Sequence, residues 1–150
     1  MRRSLVSGAI VAAAILVGAA AMLGGHAEPD PEANLRILCV MTDIRGGEVV
    51  VIFNESGRWI DLSGYRLESE GGQSFEFGIS EANPQPPWIS PFDIVRVHSG
   101  ICELLAGARD FFWETVEGTC YTAEVWNNQG DVARLYAPGG SIPIAEYSYP

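Results

Sequence analysis

WNNQGDVARLYAPGGSIPIAEYSY, residues 126–149, is a stretch typical of a closing β-hairpin. An Asn-Asn-Gln-Gly turn at residues 127–130 leads into Asp131, and residues 132–136 alternate in polarity as a half-buried strand does. Pro138-Gly139-Gly140 then reverses the chain, because proline presets φ and glycine tolerates positive φ. Residues 142–149 return as the last strand, so the end of the chain is predicted to be antiparallel.

Short strands are also predicted upstream, separated by turns rich in Gly, Ser and Pro. Residues 35–42 are so continuously apolar that we expect them to be buried on both faces or to lie at a sheet centre. In residues 92–98, Val95 and Val97 should face the side opposite His98. Helical periodicity is absent after residue 30, which predicts an antiparallel all-β sandwich.

Two upstream segments and the closing hairpin resemble one known family, and they occur in that family's order. EVVVIFNESGRWIDLSGYRL, residues 48–67, is similar to a strand that begins with Glu and ends with Asn, followed by an apolar-Asp-Leu-Ser-Gly-aromatic corner. ISPFDIVRVHSG, residues 89–100, is similar to the strand that follows a Pro-containing loop, and Phe112-Trp113 matches an aromatic-Trp pair. The family is the lamin tail domain, in its bacterial exported form.

The resemblance implies an immunoglobulin-like β-sandwich that has no catalytic residues. Family members in animals contact other proteins and chromatin, and bacterial relatives stand behind export signals or beside exported hydrolases, where they tether or bind. The expected function is therefore a non-enzymatic binding, adhesion or tethering module with a protein partner. A nucleic-acid-binding accessory domain and a calcium- or glycan-binding surface domain are the alternatives.

Residues 1–27 have the composition of a targeting segment. Arg2-Arg3 precede an uncharged apolar run at residues 5–23, and Gly25-His26-Ala27 offers small residues where a signal peptidase needs them. The run is also long enough to cross a bilayer, so cleavage after Ala27 is favoured while an uncleaved anchor helix stays open. Either way residues 28–34, an acidic linker with two prolines, and the domain at residues 35–150 are expected outside the cytoplasm.

The charge of the chain argues against nucleic acid as its main partner. All nine basic residues are Arg and the formal net charge is −10. The arginines after the leader are scattered singly among acids, whereas binding to phosphates requires a basic face.

The three cysteines predict one disulfide in an oxidising compartment. Cys102 and Cys120 bracket the insertion at residues 100–124 and are the expected pair, which leaves Cys39 as a buried strand thiol. A bridge from Cys39 to either of the others stays open, because sequence gives no geometry.

Candidate chemistry in the sequence is sparse. His98 is the only histidine after the leader, and its neighbour Ser99 should point to the opposite face, so we expect a surface histidine and no catalytic dyad. A minor candidate is a calcium site, because carboxylates lie near Asn127 and Asn128. These acids are Asp110, Glu114, Glu117, Glu124 and Asp131. Asp131 is more simply explained as an acceptor of backbone hydrogen bonds in its turn, and we expect no cofactor.

The expected contact surface consists of aromatic residues in two loops. Trp88 lies in the Pro-rich loop at residues 79–91, and Phe111, Phe112 and Trp113 lie in the insertion. Exposed aromatic side chains in loops are typical of recognition surfaces. The alternative is that the rings of the insertion cover a sheet edge or the core.

Overall fold

The computed structural model describes residues 34–44, 47–102, 107 and 109–150. These residues form ten strands and no helix, which confirms the all-β class. The strands are β1 (Leu35–Ile44), β2 (Gly47–Asn54), β3 (Ile60–Asp61), β4 (Arg66–Glu68), β5 (Ser74–Glu76), β6 (Trp88–Ile89), β7 (Ile94–Ser99), β8 (Asp110–Phe112), β9 (Asp131–Tyr136) and β10 (Pro143–Tyr149). The predicted leader and most of the predicted linker, residues 1–33, lie outside the described residues.

Two four-stranded sheets make up the sandwich. One sheet has the order β1-β2-β7-β8 and the other has the order β10-β9-β4-β5, while β3 and β6 form a separate two-stranded ribbon. The prediction of an antiparallel sandwich holds for every pairing between these strands except one, since β8 runs parallel to β7 with Asp110 opposite Arg96.

The predicted closing hairpin is confirmed. β9 pairs with β10 in antiparallel register from Asp131–Tyr149 to Tyr136–Pro143. Gly139 takes a φ of 69° in the turn, and Gly140 N–H donates to the Ala137 carbonyl at 2.9 Å. Local turn chemistry thus places the last two strands at one side of their sheet.

The first strand does not lie where its apolar run predicts. β1 is an edge strand, and its Leu38 and Met41 side chains are each 39% exposed. Register shifts after Ile37 and Met41 change which residues face the core. The prediction of burial on both faces, or of a central position, is therefore wrong, because an apolar run does not by itself determine a strand's place in the sheet.

Aromatic side chains fill the core between the sheets. Phe111 and Trp113 pack edge-on or tilted against Phe77, Phe75 and Trp126, with ring centroids 5.3–5.7 Å apart. Val95 and Val97 share one face of β7, as predicted, and the structure shows that this face lies in the core. The β7–β8 pairing carries the insertion's rings into the space between the sheets, which explains their burial.

The Pro-rich loop covers the outer edge of β8. The Asn83 side chain donates to the Phe112 carbonyl at 2.9 Å and accepts from the Phe112 N–H at 2.8 Å, so one amide imitates a neighbouring strand. Gln85 donates to the Asp110 carbonyl at 3.0 Å. The loop ends in β6, which pairs with β3. An edge covered in this way is closed to pairing with other chains.

Candidate functional site

Glu48 is a buried acid at the start of β2, and its side-chain oxygens hold the far end of the chain. Its exposed fraction is 1%. The oxygens accept from the Ser99 hydroxyl and the Val125 N–H, each at 2.7 Å, and from the Trp126 N–H at 3.1 Å. All of these donors belong to the fold, so Glu48 is a structural acceptor that joins β2 and β7 to the segment before the last hairpin.

Asn54, at the other end of β2, has a matching role. It is fully buried, and its amide donates to the carbonyls of Arg58 at 2.7 Å and Ser90 at 3.0 Å. Its oxygen accepts from the Ser56 N–H at 2.9 Å. One side chain therefore fixes the loop after β2 against the loop before β7.

Asp131 accepts backbone hydrogen bonds, as predicted. It accepts from the N–H groups of Glu70 at 2.8 Å, Asn127 at 3.2 Å and Val132 at 2.7 Å. The Tyr149 hydroxyl donates to the Asn127 carbonyl at 3.0 Å beside it. Burial, with the charges of Asp131 and Glu48, raises the pKa of Tyr149 to about 12, so this hydroxyl stays a donor at neutral pH.

The acids proposed for calcium are not brought together by the fold. Asp131 accepts hydrogen bonds from backbone N–H groups, and the Asp110 side chain is paired with His98 across the β7–β8 pair. Within residues 34–44, 47–102, 107 and 109–150, no three His, Cys, Asp or Glu side chains are grouped so that they could hold a metal ion. The calcium alternative therefore has no geometric support in this part of the chain.

His98 is buried, and the expectation of a surface histidine is wrong. Its ring is stacked on Phe112 with centroids 5.5 Å apart, and its Nε2 lies 2.9 Å from Asp110 Oδ1. The β8 strand and its preceding turn, which sequence did not predict, supply both covering groups. Ser99 points to the opposite side and donates to Glu48, so the two neighbours form no dyad, as expected.

Asp110 is held as a carboxylate by its surroundings. Burial acts to raise its pKa, but the hydrogen bond with His98, the Gly107 N–H at 2.9 Å and the charges of His98 and Arg96 together lower it below the ordinary value. The pair links β7 to β8 through His98 Nε2, while the buried Nδ1 of the same ring has no hydrogen-bond partner among the described residues.

Two polar clefts flank the end of the sandwich that contains Glu48. One, of about 460 Å³, is lined in part by Glu70, Glu124 and Trp126, and the other, of about 330 Å³, by Thr42, Thr122 and again Glu124. Glu70 and Glu124 are exposed. Neither cleft is lined by a histidine or a cysteine from the part of the chain that the structure describes.

The predicted disulfide between Cys102 and Cys120 is confirmed. The Cα atoms are 5.8 Å apart, and the bridge spans 18 positions. This excludes the alternative bridges from Cys39, which is free. Cys39 is half-buried on the edge strand and not fully buried as expected, and burial raises the pKa of its thiol.

Three of the four aromatic residues predicted to form a contact surface lie in the interior. Phe111, Phe112 and Trp113 are 0%, 7% and 3% exposed, so the prediction that they form an exposed surface is wrong. The rings complete the core and cover His98. Trp88 is different, since 47% of it is exposed on the outer side of β6.

The two loops chosen from the sequence do meet, although through other residues. The Ala82 N–H donates to the Gly118 carbonyl at 3.3 Å, which holds the Pro-rich loop beside the short hairpin closed by the Glu114–Cys120 bridge. Ile79 and Val116 stand out from these loops with exposed fractions of 69% and 103%. We call Ile79 and Val116 the loop surface.

A second exposed apolar group lies where β1 begins. Trp59 and Phe92 are 61% and 68% exposed, and the Phe92 ring lies 3.8 Å from the Cβ position of Gly57. The Asn34 carbonyl, just before β1, accepts from the Glu55 N–H at 2.8 Å in the same region. We call Trp59 and Phe92 the base surface. The base surface was not predicted from the sequence, because neither residue lies in a long loop of the kind that usually forms a contact surface.

Fold and site together define a class of protein. The chain is an immunoglobulin-like β-sandwich in which the buried side chains of Glu48, Asn54 and Asp131 are hydrogen-bonded to backbone groups of the fold. Residues 28–150 match the family model described as Lamin Tail Domain. The chain therefore belongs to the lamin tail domain family, as the sequence resemblance indicated.

No curated protein gives a significant match to the chain. Among the described residues, no helix is both long and apolar enough to cross a membrane.

Proposed function

We propose that this protein is an extracytoplasmic, non-enzymatic tethering module that binds a protein partner through the loop surface. The observation that carries the proposal is the pairing of two exposed apolar loops on a rigid support. Ile79 and Val116 project from loops joined by the Ala82–Gly118 hydrogen bond, and the Cys102–Cys120 bridge closes the second loop at its root.

Rigid support matters because binding must repay the entropy of ordering the contact residues. Asn83 fixes the Pro-rich loop to β8 in both directions, so little ordering is left for the moment of binding. Apolar side chains held in this way fit a protein surface better than a nucleic acid. The net charge of −10 also opposes contact with phosphates.

The polar groups support a binding role over a catalytic one. The oxygens of Glu48 and Asp131 are taken by backbone N–H groups, and His98 is paired with Asp110 beneath the Phe112 ring. A hydrolase would need such groups free and facing a cleft.

The test is a pull-down of the tagged full-length chain from lightly crosslinked cells, together with the double variant Ile79→Ser/Val116→Ser. Ile142→Ser is the matched control, since Ile142 is 77% exposed in the β9–β10 turn. We expect one protein to be recovered in near-equal amount with the wild type and the control, to persist in high salt, and to be lost with the double variant.

Recovery of nucleic acid or glycan alone, or equal capture by the double variant, would contradict the proposal. Sequencing of the N-terminus of the recovered chain shows whether residues 1–27 remain. Met1 at the start indicates an anchored adaptor, and a start near Glu28 indicates a secreted module.

A further inference from the structure

We propose that the base surface rests on the lipid headgroup region of the membrane to which residues 5–23 direct the chain. The proposal rests on the proposed extracytoplasmic location and on retention of the leader as an anchor. It assigns the loop surface to the protein partner and the base surface to lipid.

The position at which the chain joins the sandwich places the base surface near that membrane. Asn34 lies beside Glu55, and Glu55 opens the short loop that leads to Trp59. Residues 24–33 separate the apolar run from Asn34, and even fully extended they reach only ~35 Å. The tether joins the domain at the end that contains the base surface, so this end starts closest to the bilayer.

The rings of the base surface are held outward by the structure. Phe92 is the one non-glycine residue with positive φ in the described part of the chain, at 53°, a strained conformation for a bulky side chain. Strain of this kind persists only where the surrounding structure fixes it, and here Asn54 ties the Ser90 and Arg58 carbonyls together. The fold thus maintains an unfavourable backbone at Phe92, a residue that is 68% exposed.

Local charge fits a headgroup layer. Arg36 pairs with Glu55, and Arg109 pairs with Asp93 next to Phe92, so basic residues balance the acids at this end. The chain as a whole has a formal net charge of −10, so anionic lipid repels the remaining surface. A balanced end with exposed rings is the part of this domain that a lipid surface repels least.

The contact requires little intrinsic affinity. Trp is enriched at membrane–water interfaces because its ring has an apolar body and a polar N–H. Two exposed rings would bind vesicles weakly by themselves, but a tether makes the second contact intramolecular and raises its effective concentration. The base surface therefore sets the orientation of an anchored domain and leaves the loop surface free.

The test uses the full-length chain reconstituted in phosphatidylcholine vesicles whose acyl chains are brominated near the headgroup. The fluorescence of Trp59 is obtained as the difference between wild type and Trp59→Phe, a conservative change at an exposed position. We expect the bromines to quench the Trp59 signal, and bromines near the bilayer centre to quench it less. The variant Phe92→Ser should lose this quenching, and Val116→Ser should keep it.

A Trp59 signal that is unquenched by bromine but quenched by aqueous iodide would overturn the proposal, because the domain would then stand away from the bilayer. Shielding of Trp59 only after a protein partner is added would also overturn it. The wild-type measurement does not depend on the folding of Phe92→Ser. Partner capture through Ile79 and Val116 is measured separately, so either proposal can fail while the other stands.

Discussion

Replacing Glu48 with Ala should destabilise the domain more than replacing any exposed acid. Two backbone N–H groups, those of Val125 and Trp126, lose their acceptor in a buried place, while the Ser99 hydroxyl is free to rotate. Each buried donor without an acceptor costs ~1–3 kcal/mol. Removing the carboxylate also removes the cost of its own burial, so we expect a loss of about 3 kcal/mol.

Equilibrium unfolding in urea with the disulfide intact measures this loss, and Glu81→Ala in an exposed loop is the control. Glu48→Gln should fall between wild type and Glu48→Ala, since it keeps one acceptor oxygen but turns an NH₂ group toward donors. Hydrogen exchange should quicken at the amides of Val125 and Trp126. A loss below about 1 kcal/mol, with unchanged exchange at these amides, would refute the reasoning, because the hairpin would then have another acceptor.

Three further perturbations test other parts of the structure. Reduction of the Cys102–Cys120 bridge, which spans 18 positions, should lower the free energy of unfolding by about 3 kcal/mol, measured as a lower urea midpoint. The pKa of Asp110 is lowered in the folded protein, so its stabilising effect is present above the unfolded value near ~3.9 and is lost as pH falls through the folded value. Asp110→Asn should therefore flatten the fall in urea midpoint with acid below about pH 4, and an unchanged slope would contradict the assignment. Phe92→Gly should stabilise the domain by about 1 kcal/mol in the same assay, because relief of strain at φ 53° outweighs the added freedom of the unfolded chain, and a loss of stability would show that the ring packs.

Sequence predicted best what neighbouring residues decide. The β9–β10 hairpin depends on a Pro-Gly-Gly turn and on alternation, both of which lie within the hairpin itself. Asp131 could be assigned to its turn because an aspartate beside glycine commonly accepts nearby N–H groups. The disulfide was predicted because Cys102 and Cys120 bracket the insertion and an oxidising compartment was expected, and the structure confirms this pair.

Sequence failed where distant strands decide. The place of β1 at a sheet edge is set by bulges and by the order of strands, which its apolar run does not encode. The sequence does not show whether Phe111 and Trp113 lie in an exposed loop or in the core. The parallel pairing of β8 with β7 brings both rings into the core. His98 became buried for the same reason, since its cover comes from β8.

The structural residues of the candidate site gave only weak signals. Glu48 and Asn54 lie at the ends of a strand in the family pattern. The sequence does not show, however, whether such a residue is buried or exposed in the folded domain. The base surface gave none, because Trp59 and Phe92 are 33 positions apart and the Asn54 side chain joins the segments that carry them.

The hydrogen bonds of Glu48 also make the buried start of β2 depend on a segment near the end of the chain. Its carboxylate oxygens accept hydrogen bonds from N–H groups that lie 77 and 78 positions later in the chain. A chain that ends before Val125 lacks both of these N–H groups, so its buried carboxylate at Glu48 has lost its backbone partners. A truncated domain is therefore expected to fold less stably than the full-length domain, because a buried charge without partners is costly.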